Sequence, residues 1–310
     1  MTIRKLSNAS AVDVLAFHRS LLRDEVRTHS YRDAINAAVR PNDVVVDLGC
    51  GSGILSFFAC RAGAKRVYAI DELPVIELAR ELAHDNGFED RIVFVNRSSF
   101  EVAIEEPVDV IVTETMGNNG FDEQIARAVA HAKRVWLRDG GTIVPRVVAM
   151  YAAPVEDPTI EVEAAFWQSM PFGIDMNRLR THAVNSFYTL NINPDALLGD
   201  AAELITLNLG DDAPSLRGAS DVTITRDGTL HGIAAWFRAD LIDGITISNA
   251  PPNACVSWKQ SFFPLAKPVR VRRGDVIQIE MQTFDGLEWR WRAGDFEQST
   301  LYGFPFSRPL

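Results

Sequence analysis

The sequence predicts a mixed α/β chain in two parts, a parallel sheet packed between helices followed by an antiparallel β-barrel. Three observations carry this expectation. Short β-branched runs alternate with helical stretches through the first 145 residues, as βαβ units require. A strand, a tight turn with glycines at 49, 51 and 53, and a helix open that half. After Pro145 the pattern becomes strand-like segments separated by Pro, Gly, Asn and Asp, which suits an antiparallel barrel or sandwich.

Each element follows in order. VVVDLG (44–49) is an apolar strand, GILSFFACRAGA (53–64) a buried helix and RVYAID (66–71) the second strand. PVIELARELAHDNG (74–87) has amphipathic spacing and ends on glycine, and RIVFVN (91–96) and DVIVTE (109–114) are the third and fourth strands. DEQIARAVAHAKRVWL (122–137) is the next helix, and GGTIVP (140–145) closes the half. Beyond it VVAMYAAPV, LITLNL, DVTITR, HGIAAWFRADL, VRVRRGDVIQIEMQ and LEWRWRA are expected as strands. The insert FWQSMPFGIDMNRLRTHA (166–183) is expected to be helical. The domains expected are 1–145 and 146–310.

Composition narrows the function. A formal charge of −10 disfavours a nucleic-acid backbone as the main partner, because phosphate binding calls for a basic stripe. No apolar run approaches the ~20 residues that span a bilayer, and the N-terminus lacks the apolar core of a leader. Cys50, Cys60 and Cys255 form no metal-spaced set, so no metal is expected and a reducing cytoplasm is. Five lysines against 26 arginines suggest a GC-rich, bacterial genome.

Asp47-x-Gly49-x-Gly51-x-Gly53 lets the backbone turn sharply and approach a ligand closely. The dinucleotide fingerprint needs a glycine where Ile54 stands, which disfavours a nicotinamide dehydrogenase. Asp71, at the end of the second strand, is placed to accept both hydroxyls of a ribose. Loop and acid together resemble the class I methyltransferase signature, which implies a Rossmann-like domain and S-adenosyl-L-methionine as cofactor.

From about residue 17 onward the chain resembles the protein arginine methyltransferase family. HRSLLRDEVRTHSYRDAI is similar to that family's helix before the first strand. The resemblance implies that Arg27 pairs with the methionine carboxylate of the cofactor, that His18 lies near it, and that Glu101 accepts from the adenine amino group. TETMGNNGFDEQI (113–125) resembles the family's double-glutamate loop, with Glu114 and Glu123 as the catalytic pair. Two carboxylates converging on one pocket repel unless a cation sits between them, and a planar guanidinium is such a cation. WQSMPFGIDM is similar to a dimerisation arm, expected at about 158–186 and implying a homodimer. NACVSWKQSFF matches a Thr-His-Trp loop, with Trp258 retained and Ser257 in place of the histidine, which leaves Asp24 without its usual partner. Thr115 and Asn118 replace aromatic residues, so Asn118, Ser257 and Trp258 are expected to line a small, polar substrate pocket.

The function expected is methyl transfer to an arginine guanidino nitrogen. Free L-arginine or a small guanidine is favoured because a polar rim suits an amino acid's charged ends. The alternatives are a protein arginine methyltransferase acting on Arg/Gly-rich segments and a cofactor-binding scaffold without catalysis.

Overall fold

The structure, a computed structural model, describes residues 10–302 apart from 213, 214 and 285. The leader question raised by the N-terminal residues falls on 1–9, outside the described residues.

Five parallel strands form the first sheet: β1 (Val44–Leu48), β2 (Arg66–Ile70), β3 (Ile92–Val95), β4 (Val108–Thr113) and β5 (Leu137–Val144). Their order is β3-β2-β1-β4-β5, and every pairing is parallel. β1 is buried along its whole length, as a central strand covered on both faces must be. The order reverses beside β1, so the loops after β1 and β4 diverge and open a crevice at the strands' carboxyl ends.

The helices of this half are α1 (Ala11–Arg23), α2 (Glu25–Ala38), α3 (Ile54–Ala62), α4 (Val75–Asp85) and α5 (Ile125–Val135). The single helix expected over 18–35 is two. Asp24 leaves helical geometry (φ −77°, ψ 90°), and its carboxylate accepts the Arg27 N–H at 3.0 Å to cap α2. The helix expected to reach 137 stops at Val135: Trp136 turns into the core, and its carbonyl accepts the Val108 N–H at 3.0 Å.

The second half is antiparallel. Its strands are β6 (Val147–Val155), β7 (Tyr188–Leu190), β8 (Ala202–Asn208), β9 (Leu216–Thr223), β10 (Gly228–Ile242), β11 (Ile245–Ser248), β12 (Gln260–Val271), β13 (Val276–Thr283), β14 (Trp289–Ala293) and β15 (Phe296–Ser299). One sheet runs β7-β12-β10-β6-β8 with β11 on β10, and the other β15-β14-β13-β9. β9 begins five residues before the expected segment 221–226, because it pairs with β13 from Leu216↔Thr283 to Thr223↔Val276. Phe263 packs on Trp289 and Trp291 with ring centroids 5.5 and 5.4 Å apart, and the Trp291 indole donates to the Pro264 carbonyl at 2.9 Å.

Between β6 and β7 lie α6 (Thr159–Ala165) and α7 (Asn177–Val184). The insert 166–183 is therefore not one helix. Pro171 cannot donate to a helical ladder, and Met170 and Phe172 take positive φ (52° and 55°) beside it. Phe166, Met170, Phe172 and Ile174 are all exposed on this arm.

The two halves meet at the double-glutamate loop. Gly286, at φ +80°, passes so close that an added Cβ would stand 1.8 Å from the Phe121 carbonyl oxygen. Left-handed strain and overpacking then act together, so Gly286→Ala is expected to cost at least about 2 kcal/mol. Urea unfolding of the variant beside the parent protein measures this directly.

Candidate active site

A cavity of about 640 Å³ opens at the carboxyl ends of β1 and β4. Its walls come from α1, the glycine loop, the end of β2, the double-glutamate loop and the segment 257–259. Of the residues expected here, His18, Arg27, Gly49, Gly51, Asp71, Glu114, Asn118, Glu123, Ser257 and Trp258 all line it.

At one end, Gly49 and Gly51 hold positive φ, and their missing side chains are what lets neighbours close in. A Cβ at Gly49 would meet Thr115 Cγ2 at 2.7 Å, and one at Gly51 would meet His18 Cε1 at 2.8 Å. Asp71 accepts the Gly51 N–H at 2.9 Å and the Leu73 N–H at 2.8 Å, one on each oxygen. A carboxylate has about four acceptor sites, so it can still take two hydroxyls. Burial raises its pKa while the two N–H donors oppose the rise. Burial and nearby Arg27 lower the His18 pKa, and its buried Nε2 has no hydrogen-bond partner among the described residues.

Three residues expected at this end stand elsewhere. Asp47 is fully buried beneath the loop, where it accepts the Ser56 hydroxyl at 2.6 Å and so braces α3. Gly53 is the N-cap of α3 and faces Phe57 and Ala79. Glu101 is exposed at the end of a 3₁₀ turn, and the cavity takes Arg97, Ser98, Ser99 and Phe100 instead. Arg127 of α5 lies over Phe100, 4.8 Å from its ring centroid. Nothing in the sequence pattern marks these two as neighbours, since sheet order alone joins them.

At the other end Arg27, nearly buried, donates from Nε to Glu114 Oε2 at 2.9 Å and from Nη2 to the same oxygen. Burial works against its charge, yet Glu114 raises the guanidinium above its usual value. Arg27 thus stands on Glu114, with its Cζ 5.6 Å from the Trp258 ring centroid. Burial, followed by Asp122 and then Glu114, pushes the Glu123 carboxyl well above the ordinary range. A cation beside it would reverse that penalty.

Ser257 does not leave Asp24 alone. Its N–H and its hydroxyl both donate to Asp24 Oδ2, at 2.8 and 2.6 Å. The short side chain lets the loop backbone come close enough to replace a longer partner. Trp258 is both wall and core, edge-on to Phe237 at 5.0 Å.

Two outcomes test this geometry. Asp71→Ala is expected to weaken S-adenosylhomocysteine binding about tenfold or more by calorimetry, since a bond to a charged acceptor is worth ~1.5–3 kcal/mol. The second concerns pH. Burial raises Asp47 and Asp122 to about 7 and Glu123 above its usual range, so each favours the folded state when protonated. That contribution is complete below the unfolded carboxyl range near pH 4 and is lost as pH climbs above it, through about 7 for Asp47 and Asp122. Glu123→Gln removes one such group, so ligand-free variant and parent are expected to melt alike near pH 4, with the variant higher near pH 8.

The site can be set beside known proteins. Residues 147–296 match the arginine methyltransferase oligomerization subdomain, and residues 28–149 match the ribosomal protein L11 methyltransferase (PrmA) family. The chain is 30% identical over 278 residues to protein arginine N-methyltransferase 6 of Xenopus tropicalis, covering 85% of this chain and 82% of that one. It is also 30% identical over 295 residues to human protein arginine N-methyltransferase 2, covering 89% and 68%. Among solved structures, the Trypanosoma brucei PRMT1 enzyme–prozyme heterotetrameric complex with AdoHcy superposes with a TM-score of 0.81 at 24% identity, over 91% of this chain and 96% of that one. Arabidopsis thaliana protein arginine methyltransferase 10 gives 0.76 at 21% identity, over the same shares. With both halves of the chain matched and the two glutamates on the wall of one cavity, the chain belongs to the protein arginine methyltransferase family of S-adenosylmethionine-dependent enzymes.

Proposed function

We propose that this enzyme methylates the guanidino nitrogen of arginine in Arg/Gly-rich protein segments. The observation that carries the guanidino site is the pairing of Glu114 and Glu123 on one cavity wall, where Arg27 pairs with Glu114 and Glu123 makes no ion pair among the described residues. Protein segments are preferred over free arginine because both curated relatives described above are protein arginine N-methyltransferases.

The cavity fits the cofactor on two counts: the glycine loop that lines it at Gly49 and Gly51, and His18, whose buried Nε2 has no partner among the described residues. Asp71 would hold the ribose, with His18 and Arg27 toward the amino-acid end. Bound there, S-adenosylmethionine supplies an electrophilic methyl group on a sulfonium. Glu123 holds the substrate guanidinium by a forked pair of hydrogen bonds, with Glu114 and its Arg27 fixing the adjoining wall. Localising positive charge on the clamped nitrogens would leave the remaining one more nucleophilic. Glu123, on the same wall, is the carboxylate that would take the proton lost on methylation. Asp24 is engaged by Ser257 and Arg27, so a histidine–aspartate relay plays no part.

Free L-arginine is the second reading, favoured by one feature: Lys259 lines the same wall and offers a charge to an α-carboxylate. Labelled cofactor with an Arg/Gly-rich peptide and with free arginine, read by mass spectrometry, separates the two. Peptide methylation is expected, and turnover of arginine alone would install the second reading. Glu114→Gln and Glu123→Gln are each expected to lower turnover roughly 10²–10³-fold, as loss of one preorganised electrostatic partner does elsewhere. Affinity for S-adenosylhomocysteine should hold in the Glu123 variant.

The arm is proposed to make a homodimer. Met170, Phe172 and Ile174 are 53%, 102% and 59% exposed, an apolar surface that a partner copy would cover. Light scattering should report about twice the 34.3 kDa chain, and polar replacements at these three positions should shift it toward one chain.

A further inference from the structure

The double-glutamate loop is irregular and would wander if nothing held it, yet its middle is pinned from the barrel. Asn249 is fully buried after β11. Its Oδ1 accepts the Phe237 N–H at 2.8 Å, which fixes the orientation of the amide. Both hydrogens of Nδ2 are thereby directed at two carbonyls, Asn118 at 2.7 Å and Lys259 at 2.7 Å. Gln260 in turn donates from its side chain to the Asn249 backbone carbonyl at 2.6 Å. Lys259 closes the figure by donating its N–H to Asn118 Oδ1 at 2.9 Å.

On the loop's own side, Asp122 accepts the Asn118 N–H, at 3.1 Å on one oxygen and 3.2 Å on the other. Its carboxylate fills the space where a side chain at Gly117 would begin, with Oδ1 1.4 Å from the ideal Cβ position. Asn118 is therefore gripped through its N–H, its carbonyl and its side chain. Glu114 lies four residues before it and Glu123 five after, so Asn118 anchors the middle of the stretch that carries both.

We propose that Asn249 is a positioning residue for methyl transfer, setting the separation of Glu114 and Glu123 through Asn118. It touches neither glutamate and does not line the cavity. The amide acts because its two donors hold the loop and the 257–259 segment to each other, so the two walls of the acceptor end move as one. The inference rests on the clamp assigned above.

The test uses the full chain with an Arg/Gly-rich peptide. Asn249→Ala removes the tether, Asn249→Asp keeps the acceptor for Phe237 but turns an oxygen toward two carbonyls, and Asn249→Ser retains one donor. Alanine and aspartate variants are expected to lose about 10²-fold in kcat, the scale of a 1 Å misplacement, with serine between them and the parent. Calorimetry with S-adenosylhomocysteine should give affinities within about twofold of the parent, which shows the cofactor half intact. In a Glu123→Gln background, Asn249→Ala should add little further loss, because both act on one clamp. Independent, additive losses, or a fall in cofactor affinity alongside turnover, would assign Asn249 a purely structural role and overturn the proposal. So would near-normal kcat in the alanine variant. A parent protein that methylates no guanidine would instead count against the clamp itself, and the two failures are told apart by that control.

Discussion

One carboxylate joins the parts of this molecule that matter most to its site. Asp24 ends α1, caps α2 through the Arg27 N–H, and takes two hydrogen bonds from Ser257 on the barrel loop. Capping sets where α2 begins and hence where Arg27 emerges from its first turn. Arg27 then reaches Glu114, while the same carboxylate draws Trp258 over the guanidinium. Buried polar groups tolerate little slack when every partner is specified, so a small shift at Asp24 propagates to both walls of the acceptor end.

The site stores unfavourable electrostatics that a substrate relieves. Asp47, Asp122 and Glu123 are carboxyls with raised pKa, and among the described residues the first two have hydrogen-bond donors. A cavity that keeps such groups favours whichever ligand brings positive charge. Arg27 answers half of this demand internally, at Glu114. The unequal pair is the result: one glutamate ion-paired and oriented, the other without an ion pair among the described residues.

Much of this was legible in the sequence, and the gaps have physical causes. The glycine loop and Asp71 were readable because backbone conformation and chemistry coincide there, each position demanding one residue type. Glu114 and Glu123 were readable from their spacing within a recognisable loop. The break at Asp24 was hidden because residues on both sides favour helix, and the local cap on the Arg27 N–H is reinforced by a tertiary bond to Ser257 that sequence does not show. Glu101 was misplaced for a related reason. A short irregular turn carries no periodicity, so the choice between Ser99 and a carboxylate two residues on depended on a gap that sequence cannot position. Asn249 left no trace, since a buried amide is distinguished only by the partners it meets across 131 residues of chain.

The hydrogen bonds between Ser257 and Asp24 span 233 positions, and this separation orders how the enzyme comes into being. The glycine loop, Asp71 and the sheet that carries them lie within the first 145 residues and need only nearby chain. The acceptor wall must wait for Ser257, Trp258 and Lys259, which emerge from the ribosome many seconds later at ordinary rates of synthesis. Long-range closure of this kind is slow and comes late. A nascent chain therefore has the makings of a cofactor cradle well before it has anywhere to put an arginine, and methylation competence is a property acquired only when the barrel is finished.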